Sequence, residues 1–138
     1  MLIVEDEEAL CKSMARILKS RGILADTAFS GAEARQRLAA NEYAVVVLDV
    51  RLPDESGYGL LGELRALRPD IAVVMISGVD DPELGKAAVE HGAHGYYVKP
   101  IGSTELYLAV YNALRRRNLE LEYQSNLHRL ETMVSERA

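Results

Sequence analysis

Apolar positions along the chain follow two alternating rhythms. Continuous runs rich in β-branched residues occur at Met1 to Val4, Ile23 to Thr27, Ala44 to Leu48, Ile71 to Ile76 and Tyr96 to Val98, and these read as strands. Between them the spacing turns helical. Leu10, Met14, Ile17 and Leu18 share one face, as do Ala34 and Leu38, then Leu60, Leu64 and Leu67, then Leu84, Ala87 and Ala88. The punctuation agrees: Ser30 with Glu33 makes a capping box, Asp81 before Pro82 is a cap with proline at the first helical position, and Gly22 and Gly92 stand where helices stop. Four helices separate five strands, and Ser103 reads as the cap of a fifth helix.

Such alternation predicts a parallel sheet, because a right-handed crossover through a helix is the short way to return each strand to the same direction. Runs such as VVVL and AVVMI suit strands buried on both faces. In a sheet of this kind ligands sit at the carboxyl ends of the strands, near a switch in strand order. The expected ends are all polar: Glu5 and Asp6 after the first strand, Asp49 after the third, Ser77 and Gly78 after the fourth, Lys99 and Pro100 after the fifth.

Three carboxylates gathered in one crevice need either raised pKa values or a counter-cation. Oxygen-only ligands in an open, wet site suit Mg²⁺, with Mn²⁺ as the alternative ion. A cation, the Lys99 ammonium and the Ser77 hydroxyl would together receive the oxygens of a phosphoryl group, with Asp49 as the nucleophile.

Composition narrows the partners. A chain of 138 residues is the size of one domain, and 16 Lys and Arg against 21 Asp and Glu, for a net charge of −5, argue against general affinity for nucleic acid or anionic lipid. One cysteine, Cys11, cannot form an internal disulfide. No apolar run reaches membrane-spanning length and no signal sequence precedes the first strand, so the expected setting is cytoplasmic.

The motifs IVEDEE, VVVLDVRLPDESG, ISG and GYYVKP, taken together, resemble the receiver domains of two-component response regulators, over Met1 to about Arg117. The resemblance implies the flavodoxin-like (CheY-like) α/β fold: a doubly wound five-stranded parallel sheet of order 2-1-3-4-5, here with an elongated fifth helix. It implies that Asp49 accepts a phosphoryl group from a sensor histidine kinase or phosphotransfer protein. Asp6 then matches the direct Mg²⁺ ligand and Glu5 its acidic neighbour, with Asp49 and the backbone carbonyl of Arg51 completing the shell. Lys99 matches the phosphate-binding lysine, Ser77 the switch hydroxyl and Tyr96 the aromatic that follows it. The Lys99–Pro100 peptide is expected to be cis. Glu5 stands where aspartate is more usual, Ser77 where threonine is common and Leu52 where methionine is frequent. Such a domain is a phosphoacceptor switch and not an enzyme.

From Ser103 the helical pattern continues without Gly or Pro to Ala138, too far for the last helix of a receiver. Leu119, Tyr123, Leu127, Leu130 and Val134 fall at spacings of four, four, three and four, which suggests a coiled-coil seam. The expected organisation is therefore a receiver over 1–117 and a helical linker over 118–138. The linker would form a parallel homodimer stalk leading to an output domain absent from this chain. Its end, LETMVSERA, resembles the signalling helices that precede cyclic-di-GMP phosphodiesterase, cyclase or kinase modules.

Two other function classes stand beside this reading. Haloacid-dehalogenase-type phosphohydrolases also place a nucleophilic aspartate after an apolar strand, but want a second aspartate where Arg51 stands. A pseudo-receiver would dimerise without carrying phosphate. Other residues read blandly: Cys11 as a small helix residue, His91 and His94 as surface residues, His128 as part of the linker helix, and Arg115 to Arg117 as a solvated face.

Overall fold

The computed structural model describes residues 1–137, with side chains through Ser135. In chain order the elements are β1 (Leu2–Val4), α1 (Glu8–Ser20), β2 (Asp26–Ala28), α2 (Gly31–Ala40), β3 (Val45–Asp49), α3 (Gly57–Leu67), β4 (Ala72–Ser77), α4 (Pro82–Glu90), β5 (Gly95–Val98) and α5 (Ser103–Arg137). The strands form one parallel sheet of order β2-β1-β3-β4-β5, the expected doubly wound arrangement. Alternate strand residues sort to its two faces. Leu2, Val4, Val46, Leu48, Val73 and Met75 pack against α2, α3 and α4. Ile3, Val45, Val47, Val74 and Ile76 pack against α1 and α5.

The helix boundaries follow their caps. Ser30 Oγ accepts the Glu33 amide at 3.1 Å, while the Glu33 carboxylate reaches back to the Phe29 amide at 2.8 Å. Asp81 accepts the Glu83 amide, with Pro82 at the start of α4. Gly22 and Gly92 take φ of 83° and 98°, the left-handed turn that ends α1 and α4.

Several expectations need correction. Ile23, Leu24 and Ala25 are not strand: β1 begins at Leu2, opposite Asp26, so the preceding segment has no strand to pair with, and Leu24 is 74% exposed. Leu67, the final residue of α3, is 71% exposed, and Leu61 fills the core beside Leu60 and Leu64. Ser103 is the first residue of α5 and not its cap; the Gly102 carbonyl accepts the Leu106 amide instead. His94 is not a surface residue, because its side chain is only 4% exposed. The arginine run is not uniformly solvated: Arg117 Nε donates to the Asp70 carbonyl at 2.8 Å, clamping α5 to the turn before β4. Cys11 is buried as a small core residue, and burial pushes its thiol up to about 11.

Leu106, Ala109, Val110 and Ala113 dock α5 on the sheet. At about 1.5 Å per residue its 35 residues extend on the order of 50 Å. From Glu122 to Ser135 every described residue is exposed. Four of the five residues of the expected seam, Tyr123, Leu127, Leu130 and Val134, lie in that projecting part and Leu119 just before it, each 44–68% exposed. Ala138, the last residue of the expected linker, lies outside the described residues. Among the described residues no helix is long and apolar enough to cross a membrane.

Candidate phosphoacceptor site

Four of the five strands deliver the site. Asp49 is the last residue of central β3 and Ser77 the last of β4, each 3% exposed, while Glu5 follows β1 and is fully buried. Glu5 is fixed through its backbone, its amide donating to Ala28 of β2 at 3.0 Å. After β5, the Lys99 amide donates to the Ser77 carbonyl at 2.7 Å, and the following peptide to Pro100 is cis, as expected.

Lys99 reaches from there across the sheet's end. Its ammonium donates to Glu5 Oε1 at 2.8 Å and Oε2 at 3.0 Å, and to Asp49 Oδ2 at 3.0 Å. Residues 94 and 50 positions apart in sequence thus share one ion cluster. The other Asp49 oxygen, Oδ1, accepts the Arg51 amide at 3.1 Å. Asp6 stands exposed at the rim, and oxygens of Glu5, Asp6 and Asp49 all lie within 4.8 Å of one another.

One ammonium does not balance three carboxylates. Burial, then the neighbouring Asp49, push the Glu5 carboxyl up to about 8, against the opposing pull of Lys99. For Lys99 burial disfavours the charge, but Glu5 and Asp49 together outweigh it and hold the amine above its ordinary value. The crevice is therefore short of positive charge, which is the condition that a divalent cation with oxygen ligands relieves.

Ser77 and Tyr96 do not touch each other by hydrogen bond; they meet at one residue. Ser77 Oγ accepts the Val79 amide at 3.0 Å, and the Tyr96 hydroxyl donates to the Val79 carbonyl at 3.0 Å. Tyr96 faces the α4 side of the sheet and Tyr97 the α1 and α5 side, as strand alternation requires. Nothing local in the sequence marks Val79 as the residue where the two side chains meet, one on its amide and the other on its carbonyl.

The β3–α3 loop carries residues that sequence reasoning missed. Asp54 accepts the amides of Gly31 and Ala32, at 2.9 and 3.0 Å, and so caps α2 from across the chain. Those two amides, Gly31 first, hold its carboxyl below the usual range. Arg35 of α2 pairs with Glu55 of the loop and with Glu63 of α3. In the run LPDES, Asp54 looks like an ordinary turn residue. Its partners are 22 and 23 residues away, and no local pattern announces them.

A doubly wound sheet with a lysine bridging buried carboxylates at its carboxyl rim defines the CheY-like class of phosphoacceptor switch domains. The chain belongs to the response regulator receiver domain family, which it matches over residues 1–111. It is 33% identical over 118 residues to the transcriptional regulatory protein BasR of Escherichia coli K12, covering 86% of this chain and 53% of that protein. With a cyclic di-GMP phosphodiesterase of Thermotoga maritima it shares 32% identity over 130 residues, 94% of this chain and 35% of the other. Among solved structures, the beryllofluoride-activated NtrC4 receiver domain dimer superposes with a TM-score of 0.80 at 29% identity, covering 84% of this chain and 96% of that one. The chain spans 27–58% of the length of the curated relatives it matches. Receiver domains are generally non-enzymatic switches that bind Mg²⁺ at an acidic pocket and work with histidine kinases or phosphotransfer partners.

Proposed function

We propose that this chain is the input part of a longer response regulator, with Asp49 as its phosphoacceptor. The observation that carries this reading is the Lys99 ammonium lying 3.0 Å from Asp49 and 2.8 Å from Glu5 at the end of the central strand. The donor is a phosphohistidine of a sensor kinase or phosphotransfer protein. The phosphorus–nitrogen bond breaks, a phosphorus–oxygen bond forms to the Asp49 carboxylate, and the imidazole leaves with the electron pair.

Glu5, Asp6, Asp49 and the Arg51 carbonyl are the ligand set for Mg²⁺, or Mn²⁺, and the mutual proximity of the three carboxylates supports it. When bound, the cation neutralises charge on the phosphoryl oxygens. Lys99, already paired with Asp49, transfers its hydrogen bond to the new anion. Ser77 turns toward the phosphoryl group and gives up the Val79 amide; Tyr96, holding the carbonyl of the same residue, moves with the loop. The weak anchoring of α4, where Ala88 is the one buried residue, lets the α4–β5–α5 face change shape.

The helical linker over 118–138 is proposed as a parallel homodimer stalk toward an output domain. Its support is the exposed apolar series on α5, and the similarity to the Thermotoga protein, which runs over 94% of this chain. Incubation with Mg²⁺ and acetyl phosphate, followed by intact mass, tests the assignment. One labile phosphate adduct is expected, absent in Asp49→Asn. Turnover without an adduct would instead indicate a phosphohydrolase, and inertness a pseudo-receiver.

A further inference from the structure

The Arg51 carbonyl sits on a loop, and a loop alone does not hold a ligand atom to the tolerance that a small, strictly octahedral cation demands. Internally the β3–α3 loop is closed near its base: the Gly57 amide donates to the Val50 carbonyl at 2.7 Å, Arg51 bridges to Ser56, and the Leu52 amide donates to the Glu55 carbonyl at 3.2 Å. The tip is held from outside. Asp54 takes both free amides at the start of α2 in a two-oxygen grip, and Arg35 one turn further along takes Glu55. Gly31 is part of the fit, because a side chain there would occupy the space of the Glu55 carboxylate. The loop that carries the carbonyl is thereby docked on a helix end that is itself packed on the sheet through Ala34 and Leu38.

We propose that Asp54 is a positioning residue for the cation site, acting through the Arg51 carbonyl by bracing the β3–α3 loop on the N-terminus of α2. This rests on the metal reading given above and adds a residue outside the ligand set. Outer partners that orient ligands typically change metal affinity by about 10- to 100-fold when removed. Ser30 provides the control: its hydroxyl caps the same helix end by accepting the Glu33 amide, a bond within α2's own turn and not to the loop.

MgCl₂ titrations of the full chain, followed by amide chemical shifts and accompanied by thermal melts, test the inference. Asp54→Ala is expected to weaken Mg²⁺ binding about tenfold. Asp54→Asn, which keeps one acceptor oxygen, restores part of the affinity. Ser30→Ala lowers the melting temperature and leaves the affinity at the wild-type value. Equal affinity in Asp54→Ala and wild type would overturn the brace alone, as would a loss in Ser30→Ala matching that in Asp54→Ala. A wild-type chain with no saturable shift would overturn the metal reading, and the brace with it.

Discussion

A side-chain carbon at position 57 would collide with the backbone that carries Asp49, the proposed acceptor. Built onto Gly57, it falls inside contact distance of the Asp49 carbonyl and 2.9 Å from the Val50 Cα, both rigid main-chain atoms. Gly59, two residues on in the same helix, has nothing within 4 Å of that position. The two glycines therefore answer oppositely to alanine. Gly57→Ala is expected to cost about 1–3 kcal/mol by overpacking and to slow labelling by acetyl phosphate, since the Asp49–Val50 peptide must move. Gly59→Ala should stabilise by roughly 0.8–1.0 kcal/mol through helix propensity and leave labelling unchanged. Thermal melts and adduct formation followed by mass check both. Pro53 and Gly57 punctuate this loop in the chain, but which glycine is required by close approach depends on atoms brought in by β3.

At the scale of elements, His94 joins β4 and β5 to α5. The Val73 amide donates to its Nδ1 at 3.3 Å, so its proton is on Nε2, which faces Glu120 at 3.4 Å. Glu120 in turn accepts from Arg116 at 2.9 Å. A second proton would have to enter at Nδ1, where the Val73 N–H already points. Burial lowers the His94 pKa, with Arg116 of α5 and Arg65 of α3 adding to it and Glu120 opposing. The unfolded chain therefore binds the extra proton more readily, and stability present above about pH 6.5 is lost as the pH falls below it. Denaturant melts from pH 7.5 to 5 should show that decline, and His94→Gln should flatten it. A decline of equal slope in the variant would remove His94 as its source. Helical spacing identified α5 and its length, but the anchorage through Asp70, His94 and Glu120 joins three elements that sequence spacing does not relate.

For the whole molecule, the open question is what covers the projecting part of α5. Leu127 and Leu130 are 44% and 57% exposed, on a stretch of helix in which every residue from Glu122 to Ser135 is exposed. A fully buried leucine contributes roughly 1.5–3 kcal/mol, and in the proposed stalk the apolar series on α5 is the surface that a second copy would cover. Sedimentation should show a dimer, and Leu127→Asp with Leu130→Asp should weaken it by more than about tenfold while leaving phosphate labelling of Asp49 intact. A wild-type chain that sediments as a monomer, with and without beryllofluoride, would remove the stalk dimer.

The order of elements, the parallel sheet and the polar residues at its carboxyl rim were all legible in the chain, because burial on two faces and helical amphipathicity write local, periodic signals. The direct pairing of Lys99 with both Glu5 and Asp49, the meeting of Ser77 and Tyr96 at Val79, the Asp54 cap on α2 and the burial of His94 were decided only in three dimensions. Each of these contacts joins positions that the crossovers bring together, and a hydrogen bond between distant residues leaves no period in the sequence.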